Sequence, residues 1–170
     1  MELCNASLDQ LFLEDSNPKK YTGPPLPHYS TVLLQLASGL EHIHSTNLIH
    51  RDIKPENVLI SVGSDQKVTM KWADFGLSKT VNERGTCSMS GMKGTTNWMA
   101  PELLKEYRAE HRNNAGRIRG TIKSDIFAEG LVLGYFLSKG IHPFGSNIFK
   151  IPSNIEKDKP VNMESKIRLM

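Results

Sequence analysis

Residues 50–57 read His50-Arg51-Asp52-Ile53-Lys54-Pro55-Glu56-Asn57, and Asp74-Phe75-Gly76 begins seventeen residues after Asn57. Asp52, Lys54, Asn57 and Asp74 are the residue types that phosphoryl transfer from a nucleotide needs. A carboxylate orients the acceptor hydroxyl, a cation offsets charge on the moving group, and two oxygen ligands hold magnesium. A loop cap would explain Asp52 alone, but not a lysine and an asparagine at offsets of two and five.

These residues need elements to position them. Val58-Leu59-Ile60 and Val68-Thr69-Met70-Lys71-Trp72 read as two strands joined by the polar turn Gly63-Ser64-Asp65-Gln66. Such a hairpin carries Asn57 and Asp74 on its two ends and makes them neighbours. Upstream, Val32, Leu33, Leu36, Ala37, Leu40 and Ile43 recur every three or four residues, which predicts a long helix from Tyr29 to Ser45. His42 and His44 lie two apart and point to different faces, so packing or surface roles fit them better than metal ligation.

Flanking segments give further expectations. A helix is expected from Ser7 to Glu14, followed by an exposed loop from Asp15 to Pro27 with four prolines. The Ser-, Thr- and Gly-rich stretch from Asp74 to Glu102 is expected to be largely mobile, and the basic stretch Leu103 to Lys123 to be a solvated loop. Ser124 to Lys139 is apolar on most sides, which predicts a helix buried all round. Beyond Gly145 the residues are polar and weakly periodic.

The bulk properties fit one soluble domain: 170 residues, 38% apolar, 23% charged, net charge +3. This mild charge makes no case for nucleic acid. Cys4 and Cys87 lie far apart without metal-ligand spacing, which predicts free thiols. No run approaches the roughly 20 apolar residues needed to span a bilayer, and nothing resembles a leader peptide, so the chain reads as cytosol-facing.

The ordered set His50-Arg51-Asp52, Lys54, Asn57, then Asp74-Phe75-Gly76, then Ala100-Pro101-Glu102, then Asp125 opening an apolar helix resembles the protein kinase catalytic domain from hinge to large-lobe core. The resemblance implies an α+β fold, mainly helical, with a short hairpin at the cleft, and serine/threonine specificity through Lys54. It implies ATP and Mg2+ as cofactors, with Asp52 as catalytic base, Lys54 and Thr95 beside it, and Asn57 and Asp74 as metal ligands. Glu2 and Cys4 correspond to the adenine-contacting hinge and Leu59 to the residue beneath adenine. His50, Phe75, Glu102 and Asp125 correspond to structural positions. Arg51 resembles the arginine that pairs with an activation-segment phosphate, for which Thr86, Ser88 and Ser90 are the candidate acceptors.

Glu2-Leu3-Cys4 with Ser7-Leu8, the run Asp125-Ile126-Phe127-Ala128-Glu129-Gly130, and Ser138-Lys139-Gly140-Ile141-His142-Pro143-Phe144-Gly145 are similar to the inositol-requiring enzyme family, the kinase-ribonucleases of the unfolded-protein response. Residues Leu103 to Lys123 depart from that pattern. The resemblance implies a stress-signalling parent at the endoplasmic reticulum membrane, a kinase homodimer, and a protein substrate. No Gly-x-Gly-x-x-Gly loop, strand lysine with its glutamate, or arginine partner for Glu102 occurs. The expectation is therefore a partial kinase domain, residues 1–170, without its small lobe, truncated at both ends and inactive alone. A non-catalytic binding or regulatory module is the competing reading.

Overall fold

The computed structural model describes residues 3–82, 86–89, 96–113 and 118–162. In chain order the elements are β1 (Ala6–Ser7), α1 (Tyr29–Ser45), β2 (Leu48–Ile49), β3 (Val58–Val62), β4 (Val68–Trp72), β5 (Lys79–Thr80), β6 (Thr86–Met89), α2 (Pro101–Asn113), β7 (Ile118–Thr121), α3 (Ile122–Leu137) and α4 (Ile151–Glu156). Short 3-10 turns fall at Asp9–Phe12, Pro55–Asn57, Phe75–Leu77 and Thr96–Trp98. The strands form three antiparallel sheets, ordered β1-β3-β4, β2-β5 and β6-β7.

Helix α1 has the predicted bounds. Its buried stripe is Val32, Leu36, Leu40 and Ile43, the spacing that keeps side chains on one face of a 3.6-residue helix. The stripe packs on Val58, Ile60, Val68, Met70 and Trp72 of the hairpin and on Ala128 and Val132 of α3. Trp72 Nε1 donates to Leu36 O at 2.9 Å, satisfying the indole inside the core. A second cluster joins Leu104 of α2, Leu131 of α3, Phe144, and Ile151 and Ile155 of α4. Helix α3 therefore links two cores.

Several sequence expectations are corrected. The Ser7–Glu14 helix is instead strand β1 followed by the 3-10 turn at Asp9–Phe12. The β3 edge captures the chain there: Ala6 pairs with Ile60 and Ser7 with Leu59, so ladder bonds outcompete a short helix. Residues Leu103 to Lys123 are not a loop. They contain most of α2, all of β7 and the start of α3, with Leu103 and Leu104 buried and Arg108 paired to Glu156 of α4 at 3.0 Å.

The segment from Asp74 to Glu102 includes β5 and β6, whose partners are β2 and β7; residues 83–85 and 90–95 of it lie outside the described residues. Helix α3 is not buried all round, since Ile126 is 52% exposed. Helix α4 was not foreseen. Gly140 sits at φ +87°, and a Cβ there would lie 2.6 Å from Phe12 Cβ, so only glycine closes the turn after α3.

His142 is buried, with Nε2 donating to Asn97 O at 3.0 Å and Nδ1 accepting from the Phe144 N–H at 3.1 Å. This pattern requires a neutral ring, and burial pushes its pKa down from 6.5 to about 4 against the opposing Asn97 bond.

Two outcomes follow from the packing. Leu36 is fully buried, so Leu36→Ala should lower unfolding free energy by about 2–5 kcal/mol in urea melts with little change in slope. His142 resists a proton that the unfolded chain accepts near 6.5, so its contribution is complete above that pH and disappears as pH falls toward 4. The loss should be on the order of 3 kcal/mol, and His142→Gln should flatten the urea midpoint between pH 7 and 4.5.

Candidate functional site

The site is built outward from the start of α3. Thr121 caps this helix in a reciprocal pair with Ser124: Thr121 Oγ1 accepts the Ser124 N–H and Ser124 Oγ accepts the Thr121 N–H, both at 3.1 Å. Asp125 follows in the first turn, where a carboxylate is favoured by the helix dipole. Its Oδ2 accepts from the His50 N–H at 2.7 Å and from His44 Nε2 at 3.0 Å, and its Oδ1 accepts from the Arg51 N–H at 3.0 Å. Arg51 takes φ +71°, a left-handed conformation uncommon for a side-chain-bearing residue. Asp125 holds that bend.

His50 is fully buried. Its Nδ1 accepts from the Asp52 N–H at 3.3 Å, which leaves the proton on Nε2 to be donated to Ala73 O at 2.9 Å. Burial lowers the His50 pKa, opposed by the charges of Asp125, Asp52 and Asp74 and by the Ala73 bond. The ring lies 5.1 Å from Phe75 and 6.2 Å from Trp72, centroid to centroid. One imidazole thus joins the catalytic loop to the end of the hairpin.

At the loop's centre, Asp52 Oδ2 accepts from Lys54 Nζ at 2.7 Å and from Asn57 Nδ2 at 2.9 Å. Asn57 Nδ2 also donates to Asp52 O at 2.7 Å. The three residues close on one another through the 3-10 turn Pro55–Asn57, which Pro55 favours by its fixed φ. Asp74 comes alongside through strand register: Val58 pairs with Trp72, and the Ala73 N–H extends the ladder to Asn57 O at 2.9 Å. Asp74 is exposed at φ +61°, and its Oδ1 accepts from the Gly76 N–H at 3.3 Å. A Cβ on Gly76 would approach that oxygen to 3.1 Å, so a small residue suits the turn.

The remaining predicted residues fall around this cluster or outside it. Leu59 lies on β3 opposite Ser7, and Asn5 N–H donates to Ile60 O at 2.8 Å, so the segment carrying Cys4 runs beside Leu59. Cys4 and Cys87 are free thiols. Phe75 is 47% exposed. Thr86 is on β6 opposite Thr121 and its Oγ1 donates to Asn82 Oδ1 at 3.1 Å; the Ser88 backbone pairs with Arg119. These two candidates are strand residues. Glu102 is exposed in the first turn of α2. Glu2, Thr95 and Ser90 lie outside the described residues.

Arg51 Nε is buried without a hydrogen-bond partner among the described residues. Burial pushes the Cys87 thiol up, while the positive charges of Arg51 and Lys79 oppose that rise. Arg51 and Lys79 therefore act electrostatically on β6. Two functional neighbours had no distinct sequence signal. His44 supports Asp125 from α1, and Ala73 supplies only a carbonyl. Among the described residues, no three His, Cys, Asp or Glu side chains gather as a metal site.

A loop of this construction, closed by a hairpin on one side and by a buried aspartate on the other, defines a protein kinase domain. The chain belongs to that family, whose protein kinase domain profile matches residues 1–167. It is 41% identical over 154 residues to the human serine/threonine-protein kinase/endoribonuclease IRE2, covering 88% of this chain and 15% of that protein. It is 30% identical over 167 residues to the Caenorhabditis elegans serine/threonine-protein kinase/endoribonuclease ire-1, covering 95% and 16%. Identity is 37% over 138 residues to the Schizosaccharomyces pombe sensor for unfolded proteins in the ER ire1, covering 69% and 12%. The chain spans 12–16% of the length of these relatives.

Replacing Asp125 with alanine removes the acceptor for the buried His50 N–H, the part-buried Arg51 N–H and His44 Nε2. Asp125→Ala should destabilise the fold by roughly 3–5 kcal/mol, as breaking a buried charged contact does. Amide hydrogen exchange should show His50 and Arg51 losing protection. Unchanged protection at both amides would contradict this role.

Proposed function

We propose that this chain supplies the catalytic side of a serine/threonine kinase, transferring the terminal phosphoryl group of ATP to a protein hydroxyl. The observation that carries the reading is the convergence of Lys54 Nζ and Asn57 Nδ2 on one oxygen of Asp52, with Asp74 brought next to Asn57 by the hairpin. In this reading Asp52 orients the acceptor hydroxyl and takes its proton. Lys54 keeps the carboxylate aligned in the free enzyme and offsets charge on the moving phosphoryl group in the transition state. A module that only binds has no chemical need for the full set.

The residues fit a divalent cation and a nucleotide. Asn57 commits its Nδ2 to Asp52, which fixes the amide with its oxygen turned the other way, and Asp74 adds a carboxylate. Two protein oxygens, with phosphate and water completing the shell, suit Mg2+. When bound, the metal would neutralise charge on the nucleotide's phosphates. Leu59 and the backbone at Glu2 and Cys4 would line the adenine site, and Thr95 would brace Asp52 and Lys54.

The name of one relative, a sensor for unfolded proteins in the ER, extends the reading to a larger stress-signalling protein at the endoplasmic reticulum; a cytosol-facing kinase portion that pairs with a second copy is the further part of this proposal. No helix among the described residues is long and apolar enough to cross a membrane. Arg51 and Lys79 would receive an activating phosphate from Thr86, Ser88 or Ser90.

The test is transfer of labelled phosphate from ATP to a serine/threonine protein acceptor with Mg2+ present, by this chain extended at both ends, since residues 1–170 are expected to be inactive alone. Asp52→Asn should reduce kcat by about 10²–10⁴ while leaving nucleotide affinity near wild type. Asp74→Asn should weaken Mg2+-dependent nucleotide binding. Transfer that survives Asp52→Asn at full rate excludes the proposed base.

A further inference from the structure

Large apolar side chains stand in water around α4. Phe149 is 86% exposed and Ile148 59%, and Ile141 and Val161 are exposed with them. Ile141 and Ile148 line one cavity together. Asn162 ties its neighbour Val161 to the same loop, its N–H donating to Pro143 O at 3.0 Å and its Nδ2 to His142 O at 2.8 Å.

The backbone that carries Phe149 is fixed by a side-chain turn. Asn147 Oδ1 accepts the Phe149 N–H at 3.0 Å, and Asn147 O accepts the N–H groups of Lys150 and Ile151 at 2.9 and 3.1 Å. The turn runs directly into α4, where Ile151 and Ile155 are buried against Leu104 and Phe144. Asn154 Nδ2 donates to Phe144 O at 2.8 Å and fastens the helix to that core. Two large apolar side chains held outward on an anchored turn mark a contact surface.

The charge around this turn is of one sign. Lys150, Lys157 and Lys159 are exposed, and none of the three is in an ion pair among the described residues. Glu156 is taken by Arg108 at 3.0 Å, so Asp158 is the one acidic side chain between Ile148 and Asn162 left to oppose them. Helix α4 has six residues, about 9 Å of rise, and the Lys159 N–H returns to Asn154 O at 2.9 Å. All three lysines therefore stay within the short span of α4.

Area and charge decide between partners. A few side chains on one turn fall well short of the roughly 1,000 Å² that a specific protein interface buries. A bilayer surface asks for less: a few apolar side chains at the boundary of headgroups and acyl chains, with lysines facing anionic headgroups.

We propose that this turn is a peripheral membrane contact, with Ile148 and Phe149 entering an anionic lipid surface and Lys150, Lys157 and Lys159 facing its headgroups. The contact is independent of the kinase reading, since none of these residues belongs to the Asp52 cluster.

Cosedimentation with lipid vesicles reads the partition of the chain between solution and bilayer. Binding to phosphatidylcholine vesicles with about one-third phosphatidylserine should be about tenfold or more tighter than to phosphatidylcholine alone. Lys150→Gln and Lys159→Gln should each weaken it about fivefold, and Phe149→Ser about tenfold. Asp158→Asn removes the opposing charge, keeps a residue that accepts φ +49°, and should tighten it. Leu34→Ser on the exposed side of α1 and Lys67→Gln beside the β3–β4 turn should leave it unchanged. Should Phe149→Ser fail to fold by circular dichroism, Phe149→Ala and Ile148→Ser carry the comparison.

Equal binding to both vesicles overturns the proposal, as does unchanged binding of the Phe149 variants or an equal loss in the two controls. The chain extended at both ends is run beside residues 1–170. Binding kept there supports the contact; loss there shows the turn to be covered by the parent's own chain and overturns it. Self-association that Phe149→Ser abolishes, without vesicle binding, assigns the turn to a second copy instead. Phosphate transfer by the extended chain should be intact in Phe149→Ser without vesicles, which separates this contact from the kinase reading.

Discussion

The Asp125 carboxylate accepts hydrogen bonds from the backbone of His50 and Arg51, which precede it by 75 and 74 residues. Few side chains constrain two successive peptide groups so far away in sequence. The consequence is a bend at Arg51, in a left-handed conformation that an unsupported arginine rarely adopts. Because the Thr121–Ser124 capping pair fixes the start of α3, the carboxylate has a rigid base. The geometry of Asp52, one residue beyond the bend, is inherited from that base.

The hairpin supplies the second constraint. Its register, pinned from Val58↔Trp72 to Val62↔Val68, decides that Asp74 emerges next to Asn57, since a one-residue slip would reverse the faces of every side chain on β4. The core supports this register: Val68, Met70 and Trp72 are buried on one face, and Thr69 and Lys71 alternate outward. Hydrophobic burial on α1 and hydrogen bonding at Ala73 therefore act on the same placement of Asp74 beside Asn57. The two supports meet at His50.

Much of this arrangement was legible in the sequence because its signals are local and periodic. The α1 stripe and the alternation in β4 each encode an element within one window, and the spacing of Asp52, Lys54 and Asn57 encodes a single turn. What escaped depends on distant partners. Ala6 and Ser7 become a strand only because the β3 edge offers Ile60 and Leu59. The basic segment around Arg108 hides α2, whose narrow apolar face, Leu103 and Leu104, is outnumbered by charges on its exposed side. His44 has no sequence mark that separates it from a packing histidine, yet it completes the shell of Asp125.

The protonation state of His50 shows how burial and charge compete at this site. Asp125, Asp52 and Asp74 all favour an imidazolium, but desolvation is the larger effect and lowers the pKa. A protonated ring would carry hydrogen on Nδ1 and lose the ability to accept the Asp52 N–H. The buried position of His50, closed off by Phe75 and Trp72, is thus what lets a histidine among three carboxylates act as an acceptor. Core packing reaches Asp52 through this one tautomer, which links the apolar interior to the orientation of the peptide that bears the proposed base.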